Sequence, residues 1–235
     1  MRVLVKYQLQ SPLIHEALHF GIVSDLHNEP YHDILPLLNG FDALLVPGDI
    51  VDRYRKSYDN GLSFIREAAE RLPVFFSPGN HDLSLPEWKT ILNKISALGA
   101  EVLWNRLVLF RDCLIGGIYP DEDTAAISEF VTSAEKKQRI WLCHKPEWAA
   151  CLPAGESDLY ICGHAHGGQI RVGHQGIYAP GQGLFPTYTH GWYRNCKMLV
   201  SSGAGNPSHM PRWGNPCEVV ELLLLPNNNA EERMK

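Results

Sequence analysis

The sequence has 235 residues, 45% hydrophobic and 20% charged, a balance that excludes a disordered or fibrous chain and permits a large buried core. Lys and Arg number 21 against 26 Asp and Glu, giving a formal charge of −5, so no global basic field exists to attract nucleic acid or anionic lipid. Eleven histidines are the unusual feature, because imidazole both binds metals and exchanges protons near neutral pH.

The opening segment, Met1 to Tyr7, lacks the apolar run of a secretory signal, and no apolar stretch reaches the length of a membrane span. Phe20-Gly-Ile-Val-Ser24 then reads as a short strand running into Asp25-Leu-His27. His32–Leu38 has a brief helical pattern broken by Pro36. Ala43–Val46 is a second strand, ending in Pro47-Gly-Asp49. Leu62, Ile65, Ala68, Ala69 and Leu72 recur at helical spacing within 61–72.

Val74–Phe76 is a third strand, followed by Gly79-Asn-His-Asp82. The spacing predicts a helix over 86–98, with Pro86 where it can start and Gly99 where it can stop. A weaker helical pattern covers 123–137. Ile140–Cys143 ends in His144, and Leu159–Cys162 ends in Gly163-His-Ala-His166. Such continuous apolar runs suit strands buried on both faces, and their alternation with helices predicts an α/β fold with active residues at the carboxyl ends of the strands.

After residue 167 glycine, proline and aromatics dominate. Short candidate strands at 169–172, 197–201 and 218–224 predict a second, largely antiparallel sheet with long loops. The tail 227–235 is polar and is expected to fray. No composition break divides the chain, so 1–235 reads as a single domain. The six cysteines (113, 143, 151, 162, 196, 217) form no CxxC pair. They are expected to be mostly buried thiols in a reducing compartment, which places the protein in the cytoplasm.

The strand ends collect Asp25, His27, Asp49, Asn80, His144, His164 and His166. Seven nitrogen and oxygen donors exceed one tetrahedral zinc and suit two divalent ions sharing a carboxylate. In an extended segment residues i and i+2 face the same way, so Asp25/His27 and His164/His166 could each chelate from one side. Asp49, on a tight Pro-Gly turn between the other contributors, is the natural bridge. Single histidines are more often ordinary polar groups than ligands. Five consecutive strands ending in ligand-type residues are a different matter.

Asp25-x-His27, Gly48-Asp-Ile-Val-Asp-Arg53, Gly79-Asn-His-Asp82, the lone His144 and Gly163-His-Ala-His166 resemble, in order, the five blocks of the calcineurin-like metallophosphoesterase superfamily. The continuation Gly167-Gly-Gln-Ile-Arg171 and the later Asn215-Pro-Cys-Glu218 look like a bacterial subgroup containing phosphodiesterase-like enzymes and some lipid-pyrophosphate hydrolases. The resemblance implies a two-sheet α/β-β-α sandwich with the metal site at the carboxyl ends of the strands. It implies one divalent ion (Mn, Fe or Zn) held by Asp25, His27, Asp49 and His166, and a second held by Asp49, Asn80, His144 and His164. His81 would be the general acid, oriented by Asp52, with Arg53 on the phosphate and Asp82 a partner for Arg53. Ala165 departs from the threonine or serine common in relatives, without touching a ligand.

The implied reaction is attack on phosphorus by a metal-bridged hydroxide. A small-molecule or lipid-linked phosphodiester or pyrophosphate is the expected substrate, because 167–213 supplies six aromatics (Tyr178, Phe185, Tyr188, Trp192, Tyr193, Trp213) and three arginines (Arg171, Arg194, Arg212) for a substituted phosphate. Such aromatics are more often packing under long loops than a substrate cradle. A broad phosphomonoesterase, or a non-catalytic scaffold on the same fold, are the alternatives; no HExxH-type signature supports a peptidase. His15, His19, His32, His174 and His190 are expected on the surface or in loops. His209 could line a pocket or simply sit in its glycine-rich stretch. Oligomeric state is not legible.

Overall fold

A computed structural model describes residues 2–119, 137–153, 155, 158–207 and 210–227. All but residue 137 of the predicted helical pattern over 123–137, His209 and nearly all of the expected fraying tail lie outside these residues. In chain order the first sheet receives β1 (Val3–Ser11), β2 (Leu18–Ile22), β3 (Ala43–Val46), β4 (Val74–Phe76) and β5 (Ala100–Val102). Helices α1 (Asp59–Ala69), α2 (Asn80–Leu83) and α3 (Trp88–Ala97) fall between them. The chain then crosses to a second sheet through β6 (Arg106–Phe110), β7 (Cys113–Ile118) and β8 (Gln138–Cys143). Helix α4 (Pro146–Ala149) and β9 (Asp158–Cys162) follow.

Two small antiparallel hairpins come next, β10 (Arg171–Val172) with β11 (Gln175–Gly176), and β12 (Tyr178–Ala179) with β13 (Gly183–Leu184). Strands β14 (Gly191–Tyr193), β15 (Met198–Val200) and β16 (Glu218–Pro226) complete the chain.

Each main sheet has six strands, in the orders β1-β16-β2-β3-β4-β5 and β14-β15-β9-β8-β7-β6. Strands β2 to β5 are mutually parallel, as are β7, β8, β9 and β15. The expected separate antiparallel sheet after residue 167 is therefore not what forms. Strand β15 joins β9 in parallel, and β16 inserts between β1 and β2. Residues 169–172 give only the two-residue β10. The reason is burial: β15 is buried along its length and β16 buries Val219, Val220, Leu222 and Leu224, so each gains more inside a main sheet than at a solvated one.

Period-2 alternation divides the apolar side chains between layers. On β3, Leu44 and Val46 face α1 and α3, whereas Ala43 and Leu45 face the second sheet. On β8, Ile140 and Leu142 meet the first sheet, whereas Trp141 and Cys143 pack toward α4. Three apolar clusters thus lie between four layers, helix, sheet, sheet and helix, and the α/β-β-α sandwich is the fold. Sharing one core between the sheets brings the carboxyl ends of β2, β3, β4, β8 and β9 to one edge, where the loops after them meet.

All six cysteines are free; Cys113, Cys143 and Cys162 are buried and Cys151 is exposed. Among the described residues no helix is long and apolar enough to cross a membrane.

The crossing between sheets is tight. A Cβ on Gly117 of β7 would lie 2.1 Å from the Leu103 carbonyl oxygen, and Leu103 itself is anchored by its N–H to Phe76 O at 2.7 Å. Gly117→Ala is expected to cost about 1–3 kcal/mol of stability, lowering the melting temperature by about 2–4 °C per kcal/mol. An unchanged melting curve would show that the crossing can shift to make room.

Candidate metal centre

The backbone at this edge is left-handed, not extended. Asp25, His27, Asp49, His164 and His166 have φ values of 54°, 51°, 55°, 66° and 47°. The i, i+2 strand argument for chelation is thereby corrected: each strand ends before its ligands, and the turn that follows aims the side chains. Left-handed φ costs roughly 1–2 kcal/mol for a non-glycine residue, and the neighbouring loops hold these conformations in place. Asp25 N–H donates to Gly48 O at 3.0 Å, His27 N–H to Asp49 O at 3.0 Å, and His164 N–H to Asp25 Oδ1 at 3.0 Å. Ser24 Oγ also donates to Asp25 Oδ2.

Asp49 lies at the middle. Its Oδ2 is 3.1 Å from His144 Nε2 and 3.8 Å from His27 Nε2, and its Oδ1 accepts the His81 N–H at 2.7 Å. Around it, ligand-type atoms fall into two buried groups, Asp25/His27/His166 and Asp49/His144/His164, each with members within 4.8 Å of one another. A third such group, His27/Asp52/His81, reaches the cavity. The His81 Nδ1–Asp52 Oδ1 distance is 3.0 Å, and the His81 ring lies edge-on to His27 with centroids 4.5 Å apart.

Several buried atoms at this edge have no hydrogen-bond partner: His27 Nδ1 and Nε2, His144 Nε2 and Asn80 Oδ1. Pairing His144 Nδ1 with Pro47 O at 2.7 Å makes Nδ1 a protonated nitrogen and turns Nε2 towards Asp49. Burial pushes the His164 pKa down to about 3, helped by His144, and burial likewise pushes His166 to about 3. The Asp25 and Asp49 carboxyls are pulled down despite burial, chiefly by His166 and His144 respectively. Carboxylates bind metal as anions and imidazoles as neutral bases. Burial keeps His164 and His166 neutral, whereas the adjacent Asp49 and Asp25 carboxylates push His144 up to about 9 and His27 upward despite burial. A divalent cation of borderline hardness would take the place of the protons on those two rings.

Asp82 does something other than expected. Instead of pairing with Arg53, its fully buried carboxylate accepts N–H bonds from Asp49 and Gly79, both at 2.8 Å, and from Val51 at 3.2 Å. Burial and the nearby Asp49 charge push its pKa up to about 6 against those bonds. Arg53 is bonded to Ser84 Oγ at 3.1 Å and Tyr54 Oη at 2.9 Å.

The cavity in front of these groups is about 470 Å³ and is lined by Arg53, Asn80, His81, Tyr119, Lys145 and His164, among others. None of the six aromatics or three arginines of 167–213 lines it, which corrects the cradle reading. Tyr178, Phe185 and Trp213 are 42%, 68% and 70% exposed. Trp192 meets Tyr7 edge-on at 6.0 Å, and Tyr188 packs on Tyr193 at 5.1 Å. Arg212 instead sits behind His166, its Nη2 3.2 Å from Nδ1. Lys145, directly after His144, is the lining cation that sequence reasoning passes over; its adjacency to a strand-end histidine is the available signal.

The profile of the calcineurin-like phosphoesterase family matches residues 18–168. An uncharacterized metallophosphoesterase of Helicobacter pylori is 30% identical over 204 residues, covering 80% of this chain and 52% of that protein. A similarly described Campylobacter jejuni protein is 27% identical over 237 residues, covering 92% and 61%. Phosphodiesterase YaeI of Escherichia coli is 28% identical over 151 residues, covering 56% and 51%. The chain spans about half the length of the curated relatives it matches.

Removing the Asp82 carboxylate strands three backbone N–H groups beneath Asp49. Asp82→Ala is expected to cost at least about 2 kcal/mol, read as a lower midpoint in urea for the metal-free protein. A loss below about 0.5 kcal/mol, the range of an inconsequential surface change, would mean water replaces the carboxylate.

Proposed function

Since the chain belongs to the calcineurin-like phosphoesterase family, we propose that it is a phosphoester hydrolase using two divalent ions, one held by Asp25, His27, Asp49 and His166, the other by Asp49, Asn80, His144 and His164. The observation that carries this reading is the single Asp49 oxygen, Oδ2, set between the Nε2 atoms of His144 and His27, both unpartnered and buried. A carboxylate placed this way is shared between the two groups. Two bound ions would supply a water acidified to a pKa of about 7 and positive charge for the phosphoryl oxygens.

The chain's own residues provide the rest. Asp52 holds His81 through Nδ1, so its Nε2 is the atom that passes a proton to the leaving oxygen. Arg53 and Lys145 line the cavity from different loops and bind phosphoryl oxygens, where fixed positive charge stabilises the transition state. Within this reading 1–235 acts as a single domain.

The substrate is proposed to be a phosphodiester or pyrophosphate. Support comes from the Escherichia coli relative named a phosphodiesterase and from a cavity larger than a bare phosphoryl group needs. A broad phosphomonoesterase is the alternative, favoured by Tyr119 being the one aromatic among the described lining residues. Hydrolysis of an aryl monoester, an aryl diester and a nucleotide-sugar pyrophosphate, compared by kcat/KM with added Mn²⁺, decides between them. No turnover on any of the three would favour a scaffold.

Asp49→Ala is expected to lower both metal occupancies, and His27→Ala chiefly one, by elemental analysis of purified protein. A wild type holding one ion, unchanged in the Asp49 variant, would sink the dinuclear reading. His81→Ala is expected to keep its metals and lose about 10²–10⁴-fold in rate on substrates with basic leaving groups, and much less on nitrophenyl esters. Equal losses across leaving groups would make His81 a phosphate binder.

A further inference from the structure

We infer that Asn215, outside the matched family region 18–168, is a positioning residue for the metal ligand His166, so that one half of the metal centre is completed by a strap formed from residues 203–207 and 210–215. This rests on the ligand assignment proposed above.

His166, Gly167, Gly168 and Gln169 have φ values of 47°, 61°, 75° and 57°. Four successive left-handed residues, two of them not glycine, make a turn that the chain does not adopt unaided. Within the turn, Gly168 N–H reaches Ala165 O at 2.8 Å and Gln169 N–H reaches His166 O at 3.0 Å. Ile177 N–H donates to Gly168 O at 3.1 Å, and further support comes from the strap. Asn215, 2% exposed, donates from Nδ2 to His166 O at 2.7 Å and to Gln169 O at 3.1 Å, closing both ends of the turn with one amide. The fit leaves no room: a Cβ on Gly167 would lie 2.1 Å from Asn215 Oδ1.

Other strap contacts point the same way. Gln169 Nε2 donates to Asn206 Oδ1 at 2.9 Å and to Met210 O at 2.7 Å. Arg212 Nη2 bonds Gly205 O at 2.7 Å while lying against His166 Nδ1. Gly205 N–H donates to Asp25 O at 2.7 Å, and Ala204 N–H to Ser24 O at 2.7 Å. The strap therefore grips the backbones of Asp25 and His166, two ligands of the same ion, and makes no such bond to Asn80, His144 or His164 among the described residues. Without the Asn215 amide the turn can relax, and His166 swings off its ion first.

The test is a titration of the metal-free full chain with Co²⁺ against a chromophoric chelator, with no turnover involved. Asn215→Ala should weaken one of two equivalents by about 10–100-fold, the usual effect of removing a support behind a ligand, and leave the other within about twofold. A double-mutant cycle shows the route: in an His166→Ala background, Asn215→Ala should have no further effect. Asn215→Asp, which keeps the shape but loses both N–H donors, should reproduce the loss. Unchanged affinity, equal weakening of both equivalents, or an undiminished effect without His166 would each overturn the inference. So would a failure of both variants to fold without metal, because Asn215 would then be a folding residue. A wild type binding a single equivalent would instead remove the dinuclear assignment itself.

Discussion

The Asp49 carboxylate is the point on which the rest of the site depends. One oxygen lies between His144 and His27, the other accepts the His81 backbone N–H, and the Asp49 carbonyl accepts the N–H of His27. Three strand-end loops are therefore in register only while this residue keeps its left-handed conformation. That conformation is held from beneath by Asp82, whose carboxylate gathers the N–H groups of Asp49, Val51 and Gly79. Two buried carboxylates in contact would repel with nothing between them; here the peptide dipoles of one loop separate their charges. A cation bound by Asp49 would relieve the same repulsion further.

Much of this arrangement is legible in the amino-acid sequence. Ala43–Val46 and Val74–Phe76 are strands with the expected bounds, α3 lies within the pattern 86–98, α1 overlaps the pattern 61–72 but starts two residues earlier, and ligand-type residues from Asp25 to His166 come together at the strand ends. Those signals are local: apolar runs that end abruptly in ligand-type residues. What stays hidden in the sequence is non-local. Strand β1 carries Lys6 and Gln8 and looks polar for a sheet member, yet it pairs with β16 along nine residues. Strands β6 and β7 lie between two helical patterns with no turn signal strong enough to separate them. The role of Asp82 is set by which N–H groups surround it, and no spacing along the chain encodes that.

The aromatic-rich stretch gives the complementary lesson. Tyr178, Phe185 and Trp213 stand in solvent on hairpins and loops beyond the cavity, whereas Trp192 packs on Tyr7 at the opposite sheet edge. Composition locates these residues near the ligands in sequence and says nothing of the direction in which two-residue hairpins turn them. The nearby residues that do bear on the ligands act through polar contacts on the turn carrying His166, two from Asn215 and one from Arg212.

The placement of β16 has a consequence for synthesis. Residues 218–226 fill the slot between β1 and β2, so the N-terminal strands have no neighbour in common until the chain beyond them has been made. At about 5–20 residues per second, roughly 10–40 s separate Ile22 from Glu218 on the ribosome. Through that interval both edges of the slot are open to wrong partners, and strand pairings of such long range are slow to form. The strap that grips Asp25 and His166 immediately precedes β16, so it too takes its place only at this late step. On the proposed ligand assignment, a nascent chain would expose Asp25, His27 and Asp49 well before the turn carrying His166 could be braced, and closing the sheet would also complete the candidate site.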